Sequence, residues 1–374
     1  MKGSVTQLRP GYWQARVSLG RDPLTGKPKY RTKAVRGTKR EVEQVLARLL
    51  VEVNAGKLVQ GGSSVQALID QWLEHIESLG RSPTTMNSYR SLRDQLPAGF
   101  LAKPLRNVTP KMIDDLYLML GSKKGRGAST VHHYHRLLRA AFNQGMKWQM
   151  LEMNPAKLAT PPRVQQEEIN PPTAEEVKRV VAMAGQFNPE AVLWFRMLIA
   201  TGCRRAEVTG LRWSDVSLAR KQLTIRGSVV EVGRELVEKG TKTHQQRKVT
   251  LDKHFVAALR THHETVEENA RIGGYEFNGD GFVFSDSPDG ADPIPPNRIS
   301  KAWQRYAKKA GVDARMHDLR HFQASILLDA GESITTVAAR LGHRDTATTL
   351  RVYAHLMPGA DDRAAEIMGD MWSS

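Results

Sequence analysis

The stretch Thr201-Gly202-Cys203-Arg204-Arg205-Ala206-Glu207 is the most informative part of this 374-residue chain. Three more polar segments follow it in order, with Lys242 before them: His317-Asp318-Leu319-Arg320, Leu341-Gly342-His343 and Tyr353. Two arginines offer planar forks that match the non-bridging oxygens of a phosphodiester and stay charged at any accessible pH. A tyrosine phenol attacks phosphorus when a base takes its proton, and lysine or histidine protonates the departing sugar oxygen. The set predicts phosphodiester cleavage through a phosphotyrosine, without a divalent cation.

The same segments resemble the signature boxes of the tyrosine recombinases, the phage integrase family. The first box runs from Thr201 to Glu207 and on to Leu211-Arg212-Trp213, the second is His317 to Phe322, and the third combines Leu341-Gly342-His343 with Tyr353-Ala354-His355. The resemblance extends over most of the chain and is strongest in its C-terminal half. It implies the following roles: Arg204 and Arg320 clamp the phosphate, His317 is the general base, His343 is a second phosphate ligand, Lys242 is the general acid, Tyr353 is the nucleophile, and Glu207 supports the site.

Two other lysines compete for the role of Lys242, because Lys239 and Lys248 lie close to it in the sequence. Residues from Val229 to Glu235 and from Arg247 to Leu251 alternate like strands around the loop that holds Lys242, which favours this lysine. A solvated basic turn is the alternative interpretation of the same residues.

Cys203 is the only cysteine, and it stands where the resembling family usually has a larger aliphatic residue. One thiol excludes an internal disulfide and a cysteine-rich zinc site, which fits a reducing compartment. Its position beside Arg204 would suit a reactive nucleophile, but a small buried hydrophobe is the commoner role for such a residue. We expect the second.

The charge is strongly positive and unevenly spread. Lysine and arginine outnumber aspartate and glutamate by 55 to 39, for a net charge of +16, and residues 1–58 carry thirteen basic against four acidic side chains. Residues 59–160 carry thirteen against seven, so the remainder is nearly neutral. Such a distribution favours a polyanionic partner, and binding through phosphates weakens steeply with salt.

Membrane attraction is the rival explanation of the charge. The basic N-terminus is followed by polar, turn-rich sequence rather than an apolar core of a signal peptide. The most apolar stretch, Ala191 to Ala200, is interrupted by Arg196 and is too short to span a bilayer. We therefore expect a soluble cytoplasmic protein that acts on host-cell DNA and has no membrane partner.

Composition and the positions of polar linkers that contain glycine or proline divide the chain into three predicted domains. The predicted fold class is mainly α with small β elements. Residues 1–58 contain three strand-like runs (Ser4 to Leu8, Tyr12 to Leu19, Tyr30 to Val35) and a helix opened by the capping box Thr38-Lys39-Arg40-Glu41. A basic three-stranded sheet with a helix resembles the arm-binding domains of integrases, and the predicted DNA contacts are Arg16, Lys29, Arg31 and Lys33. A basic, solvated surface is the alternative.

Residues 59–163 read as an all-helical domain that resembles the core-binding, SAM-like domain of the same family. An apolar face from Val65 to Ile76 starts it, and three helices follow: one after Ser82-Pro83, one after Thr109-Pro110 and one from Ser129 to Trp148, the second and third with good N-caps. The loop with Lys123, Lys124 and Arg126 is predicted to contact the DNA backbone; it lacks the closing Gly-Lys-Ser/Thr of a nucleotide-binding loop.

Residues 164–374 form the predicted mixed α/β catalytic domain, which the capping box Thr173-Ala174-Glu175-Glu176 opens. Ser333 is expected to cap a helix that Gly342 ends, so that His343 lies in the turn, and Thr346 to cap the helix that carries Tyr353.

No metal or cofactor is predicted. His132, His133 and His135 lack the cysteine or carboxylate partners that would complete a metal site. The predicted function is site-specific recombination that integrates, and can excise, a phage or mobile element. The resemblance implies core and arm DNA sites, a homotetramer, a host DNA-bending protein and an excision factor. The alternatives are a non-catalytic DNA-binding regulator, or a chromosome dimer resolvase or nicking-closing enzyme with the same chemistry.

Overall fold

The computed structural model describes residues 3–21, 28–54, 63–122, 125–164, 170–233, 235–240, 246–343, 346–353, 365–366, 368–370 and 372. The chain divides into two compact units, Met1–Gln165 and Gln166–Ser374. The first unit contains two separate hydrophobic cores, one under the N-terminal sheet and one among helices. Within the described ranges, no helix combines the length and the apolar character needed to cross a lipid bilayer.

The N-terminal part is an antiparallel sheet with strand order β1-β2-β3, packed on one helix. Its elements are β1 (Gly3–Arg9), β2 (Tyr12–Arg21), β3 (Pro28–Arg36) and α1 (Lys39–Asn54). Ala15 and Val17 of β2 are fully buried against Val42 of α1. The predicted capping box is confirmed, because the Thr38 amide donates to Glu41 Oε2 and the Glu41 amide donates to Thr38 Oγ1.

The rest of the first unit is helical, as predicted. Its helices are α2 (Val65–Ser78), α3 (Pro83–Asp94), α4 (Ala98–Leu101), α5 (Pro110–Ser122), α6 (Ala128–Lys147) and α7 (Pro155–Leu158). The apolar face predicted for the first of them is buried, including Val65, Leu68 and Ile69. The helix predicted from Ser129 begins one residue earlier, at Ala128, and the good N-cap expected for it is wrong, because its cap residue is Gly127, which has no side chain.

The second unit carries the remaining helices and short strands. They are α8 (Ala174–Gly185), α9 (Pro189–Thr201), α10 (Arg205–Thr209), β4 (Val216–Ser217), β5 (Gln222–Ile225), β6 (Gly227–Val232), β7 (Glu235–Gly240), β8 (Arg247–Thr250), α11 (Lys253–Ile272), α12 (Pro296–Lys309), α13 (Asp318–Asp329), α14 (Ile334–Leu341) and α15 (Thr346–Tyr353). The capping box at Thr173 and Glu176 is confirmed. Thr346 is the first residue of α15 and not its cap.

Two small sheets lie in the second unit, one of strand order β4-β5-β8 and one formed by β6 and β7. The expectation of a single strand from Val229 to Glu235 is wrong, because Gly233 adopts a left-handed conformation with a φ of 66° and turns the chain between two strands. β8 pairs with β5 rather than with this hairpin. The loop between β7 and β8 contains Lys242, which lies outside the described residues.

The main core of the second unit surrounds α9 and α12, where the Phe195 ring meets the Trp303 ring edge-on at 5.1 Å between centroids. A smaller core joins α13, α14 and the end of α15, and contains Leu328, Val337, Leu341 and Tyr353. Burial of these apolar side chains away from water is favourable. The two cores therefore stabilise the packing of the helices that carry the signature segments.

Candidate active site

A tight helix-to-helix turn positions Arg204. Helix α9 ends at Thr201, and Gly202 takes the left-handed conformation with a φ of 64°. A Cβ atom at Gly202 would lie 2.1 Å from Gln323 Oε1 and 2.7 Å from Leu341 Cδ2, so only glycine fits this turn without displacing its neighbours. Arg204 is the residue that immediately precedes α10.

Glu207 anchors this arginine and is shared with a second one. Arg204 donates its backbone N–H to Glu207 Oε2 at 2.9 Å and its Nη1 to Oε1 at 3.0 Å. Arg247 donates to the same two oxygens, at 2.6 Å and 3.2 Å. Burial acts to raise the pKa of Glu207, but the hydrogen bonds and charge of Arg247, followed by those of Arg204, outweigh it and lower this pKa. Glu207 is therefore an ionised carboxylate between two guanidinium groups.

Arg320, in the first turn of α13, is almost fully buried, with 5% of its surface exposed. Its Nη1 donates to the Gly202 carbonyl at 2.5 Å, while its Nη2 has no hydrogen-bond partner within the part of the chain that the structure describes. Burial and the nearby charge of Arg204 lower the pKa of Arg320 to about 10. The group is still charged at neutral pH, and a buried cation next to a like charge is stabilised by an anion.

His317 stands immediately before α13 and beside both arginines. Burial and then the charge of Arg320 lower its pKa, with a smaller contribution from Arg204. A cavity of about 960 Å³ opens next to it and is lined by Arg204, Arg205, Lys308, Arg315 and His317 among others. The positive lining favours an anionic ligand.

Tyr353 is buried, and its hydroxyl is hydrogen-bonded to a histidine that the sequence analysis had not selected. The distance from Tyr353 Oη to His321 Nδ1 is 2.6 Å, and 1% of the tyrosine is exposed. Burial raises the pKa of Tyr353 to about 12, although the charge of Arg320 acts to lower it. Burial and then the charge of His317 lower the pKa of His321 to about 4. At neutral pH a neutral phenol thus meets a neutral imidazole.

His343 follows the predicted end of α14. Gly342 has a φ of 69°, and the His343 amide donates to the Ala338 carbonyl at 3.0 Å, which turns the chain sharply. His343 Nδ1 lies 2.7 Å from the hydroxyl oxygen of Thr349, a fully buried residue of α15. Burial, then the charges of Arg320 and Arg204, lower the pKa of His343 to about 4. The charges of both arginines thus act on the His343 ring.

The signature segments thus converge on one place in the second unit. The side chains that the structure brings together there are Arg204, Glu207, His317, Arg320, His343 and Tyr353, to which it adds Arg247, His321 and Thr349. Cys203, expected to be a buried hydrophobe, is 4% exposed; burial and the charge of Glu207 raise its pKa to about 11, so it is a neutral thiol.

The N-terminal basic residues do not share one face. Arg16 pairs with Thr32 across the sheet, whereas Arg31 and Lys33 pair with the buried Val17 and Ala15. Because side chains alternate along strands, Arg16 lies on the face opposite to Arg31 and Lys33. The Arg16 guanidinium lies 3.4 Å from the centre of the Tyr30 ring.

The other residues predicted to contact DNA, and the histidines considered as metal ligands, either have partners nearby or lie outside the described residues. Arg126 donates to Gln95 Oε1 at 2.7 Å and lies over the Tyr134 ring. Lys123 and Lys124 are outside the described residues, and so is the side chain of Lys29. His132 and His135 hydrogen-bond to the Pro162 carbonyl and to Tyr117. Among the described residues, no group of three potential ligands is arranged to hold a metal ion.

Comparison with known proteins identifies the family. The model of the phage integrase family matches residues 173–359, and the model of the phage integrase SAM-like domain matches residues 66–160. The chain belongs to the phage integrase family. It is therefore a tyrosine recombinase, a site-specific enzyme that cleaves and rejoins DNA.

Two relatives that align with nearly the whole chain are also described as integrases. The ICEBs1 integrase of Bacillus subtilis (strain 168) is 25% identical over 373 residues, which cover 98% of this chain and 100% of the relative. An integrase of Saccharopolyspora erythraea is 24% identical over 415 residues, covering 95% and 93%.

Solved integrase structures share the fold. The Tn1549 transposon integrase, in complex with transposon right end DNA, has a TM-score of 0.68 at 18% identity and covers 82% of this chain and 100% of its own. A lambda integrase tetramer bound to a Holliday junction has a TM-score of 0.59 at 16% identity, covering 92% and 97%.

The two low histidine pKa values predict how stability depends on pH. An unfolded histidine takes up a proton near pH 6.5, whereas His321 and His343 do so only near pH 4 in the folded protein. Between these values protons favour the unfolded state, so the stability from these groups is lost as the pH falls. We expect the melting temperature to fall from pH 7 to pH 4.5 less steeply in His321→Asn than in wild type. Equal slopes would contradict the assignment for His321.

Proposed function

We propose that this recombinase joins a phage or mobile element to host DNA through a 3′-phosphotyrosine on Tyr353. The observation that carries the proposal is the buried Arg320 guanidinium, whose Nη2 has no hydrogen-bond partner among the described residues and whose pKa is lowered by burial and by the charge of Arg204. Such a pair is stabilised when an anion lies between them, and a scissile phosphate is the anion that the neighbouring nucleophile would attack.

The chemical steps follow from these groups. Tyr353 Oη attacks phosphorus, the bond from phosphorus to the 5′ oxygen breaks, and the products are a 3′-phosphotyrosine and a free 5′ hydroxyl. Arg204, Arg320 and His343 bind the phosphate oxygens as charge develops. Lys242 protonates the 5′ oxygen. Attack by a second 5′ hydroxyl reverses the steps, so the bond energy is retained and ATP is not needed.

The proton of Tyr353 goes to the pair of histidines at the start of α13, His317 and His321. The family resemblance assigns the general base to His317, and His321 Nδ1 already holds the phenol hydroxyl at 2.6 Å. The two rings are in edge contact, with 5.2 Å between their centroids. We assign proton removal to His317 acting with this neighbour, which orients the phenol before DNA binds.

The proposed partners are DNA core and arm sites, a tetramer of this chain, a host DNA-bending protein and an excision factor, in the cytoplasm of the host cell. Support for the tetramer comes from the fold shared with the lambda integrase tetramer. The basic N-terminal sheet supports the arm sites, which a chromosome dimer resolvase or a nicking-closing enzyme does not need.

A suicide substrate tests the catalytic proposal against the regulator. We expect a covalent protein–DNA adduct on a denaturing gel after incubation with nicked attachment-site DNA in EDTA and without ATP, because arginines take the place of a metal ion. Site-specific binding without an adduct would instead support a non-catalytic DNA-binding regulator.

Arg16 tests the arm-site proposal. Arg16→Ala removes a positive charge from the open face of the sheet, so arm-site binding is expected to weaken and its salt slope to fall by about one unit. Arg48→Ala, which removes the same charge from an exposed position of α1, is the matched control and should leave arm binding unchanged. Core-site cleavage should be normal in both; a loss of core cleavage in Arg16→Ala would contradict the assignment.

A further inference from the structure

Arg247 is not among the residues that carry the family resemblance, yet it contacts the first and the third signature segments. It is the first residue of β8, directly after the loop that holds Lys242. Its guanidinium donates to both carboxylate oxygens of Glu207, and its Nη2 lies 3.8 Å from Cys203 Sγ. These contacts tie the end of the lysine loop to the first signature segment.

The same side chain also holds the third signature segment. Arg247 Nε donates to the Arg340 carbonyl, in the last turn of α14, at 3.1 Å. A Cβ atom at Gly342 would lie 2.7 Å from Arg247 Nη1, so the guanidinium packs directly on the turn that precedes His343. The backbone of Arg247 is fixed by its pairing with Ile225 in β5. Only 12% of the side chain is exposed, so its position is set by packing.

Charge balance gives these contacts a chemical consequence. Glu207 is buried and carries one negative charge, whereas the Arg204 side chain is 48% exposed and donates from Nη1 to Glu207 Oε1. Without Arg247, the carboxylate would neutralise Arg204 and draw its guanidinium away from a phosphate. With Arg247 present, Glu207 is already balanced, and the charge of Arg204 remains available.

We propose that Arg247 is a positioning residue of the recombination site, with two effects. It balances Glu207, so that Arg204 keeps its charge for the scissile phosphate, and it fixes the turn before His343, so that this histidine meets the same phosphate. The inference rests on the proposed function of Arg204 and His343.

Single-turnover cleavage of a suicide substrate, measured beside equilibrium DNA affinity, tests the role. We expect Arg247→Gln to cleave about 100-fold more slowly, because misplacement of catalytic groups by an ångström has effects of this order, while affinity changes less than about threefold. Arg247→Lys keeps the charge without the fork and should fall between Arg247→Gln and wild type. Arg226→Gln is the matched control, since Arg226 forms an ion pair with the buried Asp215 and neither belongs to a signature segment.

A double variant separates the charge effect from simple loss of structure. In Glu207→Gln/Arg247→Gln the unbalanced carboxylate is gone, so cleavage should be faster than in Arg247→Gln alone. A purely structural role predicts a double variant that is slower still, and this result would overturn the charge argument. If Arg247→Gln does not fold, Arg247→Lys and the double variant are each compared with wild type, and cleavage as fast as wild type in Arg247→Lys would overturn the role.

The outcomes also distinguish this inference from the proposed function. If wild type and Arg226→Gln form the adduct and Arg247→Gln cleaves as fast as they do, the inference on Arg247 is wrong and the recombinase mechanism stands. If wild type forms no adduct on its attachment site, the mechanism itself is wrong.

Discussion

Tyr353→Phe is expected to abolish the covalent adduct while DNA affinity stays within about twofold of wild type, because the change removes only one oxygen atom, and that atom is the nucleophile. The ring should keep its packing against Leu328 and Val337 in the small core of the second unit. The lost hydrogen bond to His321 contributes about 1 kcal/mol to stability, so the variant should fold. The measurement is adduct formation on the suicide substrate, with affinity measured in parallel.

Tyr306→Phe is the matched control for this variant. Tyr306 is also buried in the second unit, at 3% exposure, where its ring packs edge-on against Phe195. We expect normal cleavage after its hydroxyl is removed. A covalent adduct that persists in Tyr353→Phe would mean that another residue is the nucleophile.

Arg320→Gln is expected to lower the single-turnover cleavage rate by about 10³-fold, because removal of one preorganised donor from a developing anion has an effect of this size. The side chain is nearly inaccessible before DNA binds, and its Nη2, which has no partner among the residues that the structure describes, is the donor that a phosphate oxygen would satisfy. Affinity should change far less than rate, since many other phosphate contacts hold the duplex.

Arg320→Lys serves as the charge-conserving comparison. It keeps the cation but cannot donate to the Gly202 carbonyl and to a phosphate with one planar group. We expect a rate between those of Arg320→Gln and wild type. Cleavage by a folded Arg320→Gln variant within tenfold of wild type would remove Arg320 from the proposed clamp.

A local pattern in the sequence was enough to predict how His343 is positioned. Gly342 ends a helix in the left-handed conformation, so His343 lies in a sharp turn, as expected, and the structure shows the same device at Gly202 before Arg204. Such features depend on neighbours along the chain. The roles assigned to these residues, the three-domain division and the place of Lys242 stay predictions.

The residues that sequence reasoning missed are those that act through distant partners. Arg247 precedes the buried Val249 by two residues and so lies on the inward face of β8, a signal that alternation alone offers. His321 follows His317 by four residues on one helix face, and Thr349 precedes Tyr353 by the same interval. Which carboxylate, hydroxyl or imidazole each side chain meets depends on packing between segments, and no local pattern encodes it.

Mass spectrometry of the trapped adduct tests the central claim most directly. Digestion with trypsin and nuclease should leave a 3′-phosphonucleotide on the peptide of residues 352–363, attached at Tyr353. That result is the one predicted if Arg204, Arg320 and His343 hold the phosphate beside this phenol. A nucleotide on any other residue, or a cleaved strand with no protein attached, would contradict the account.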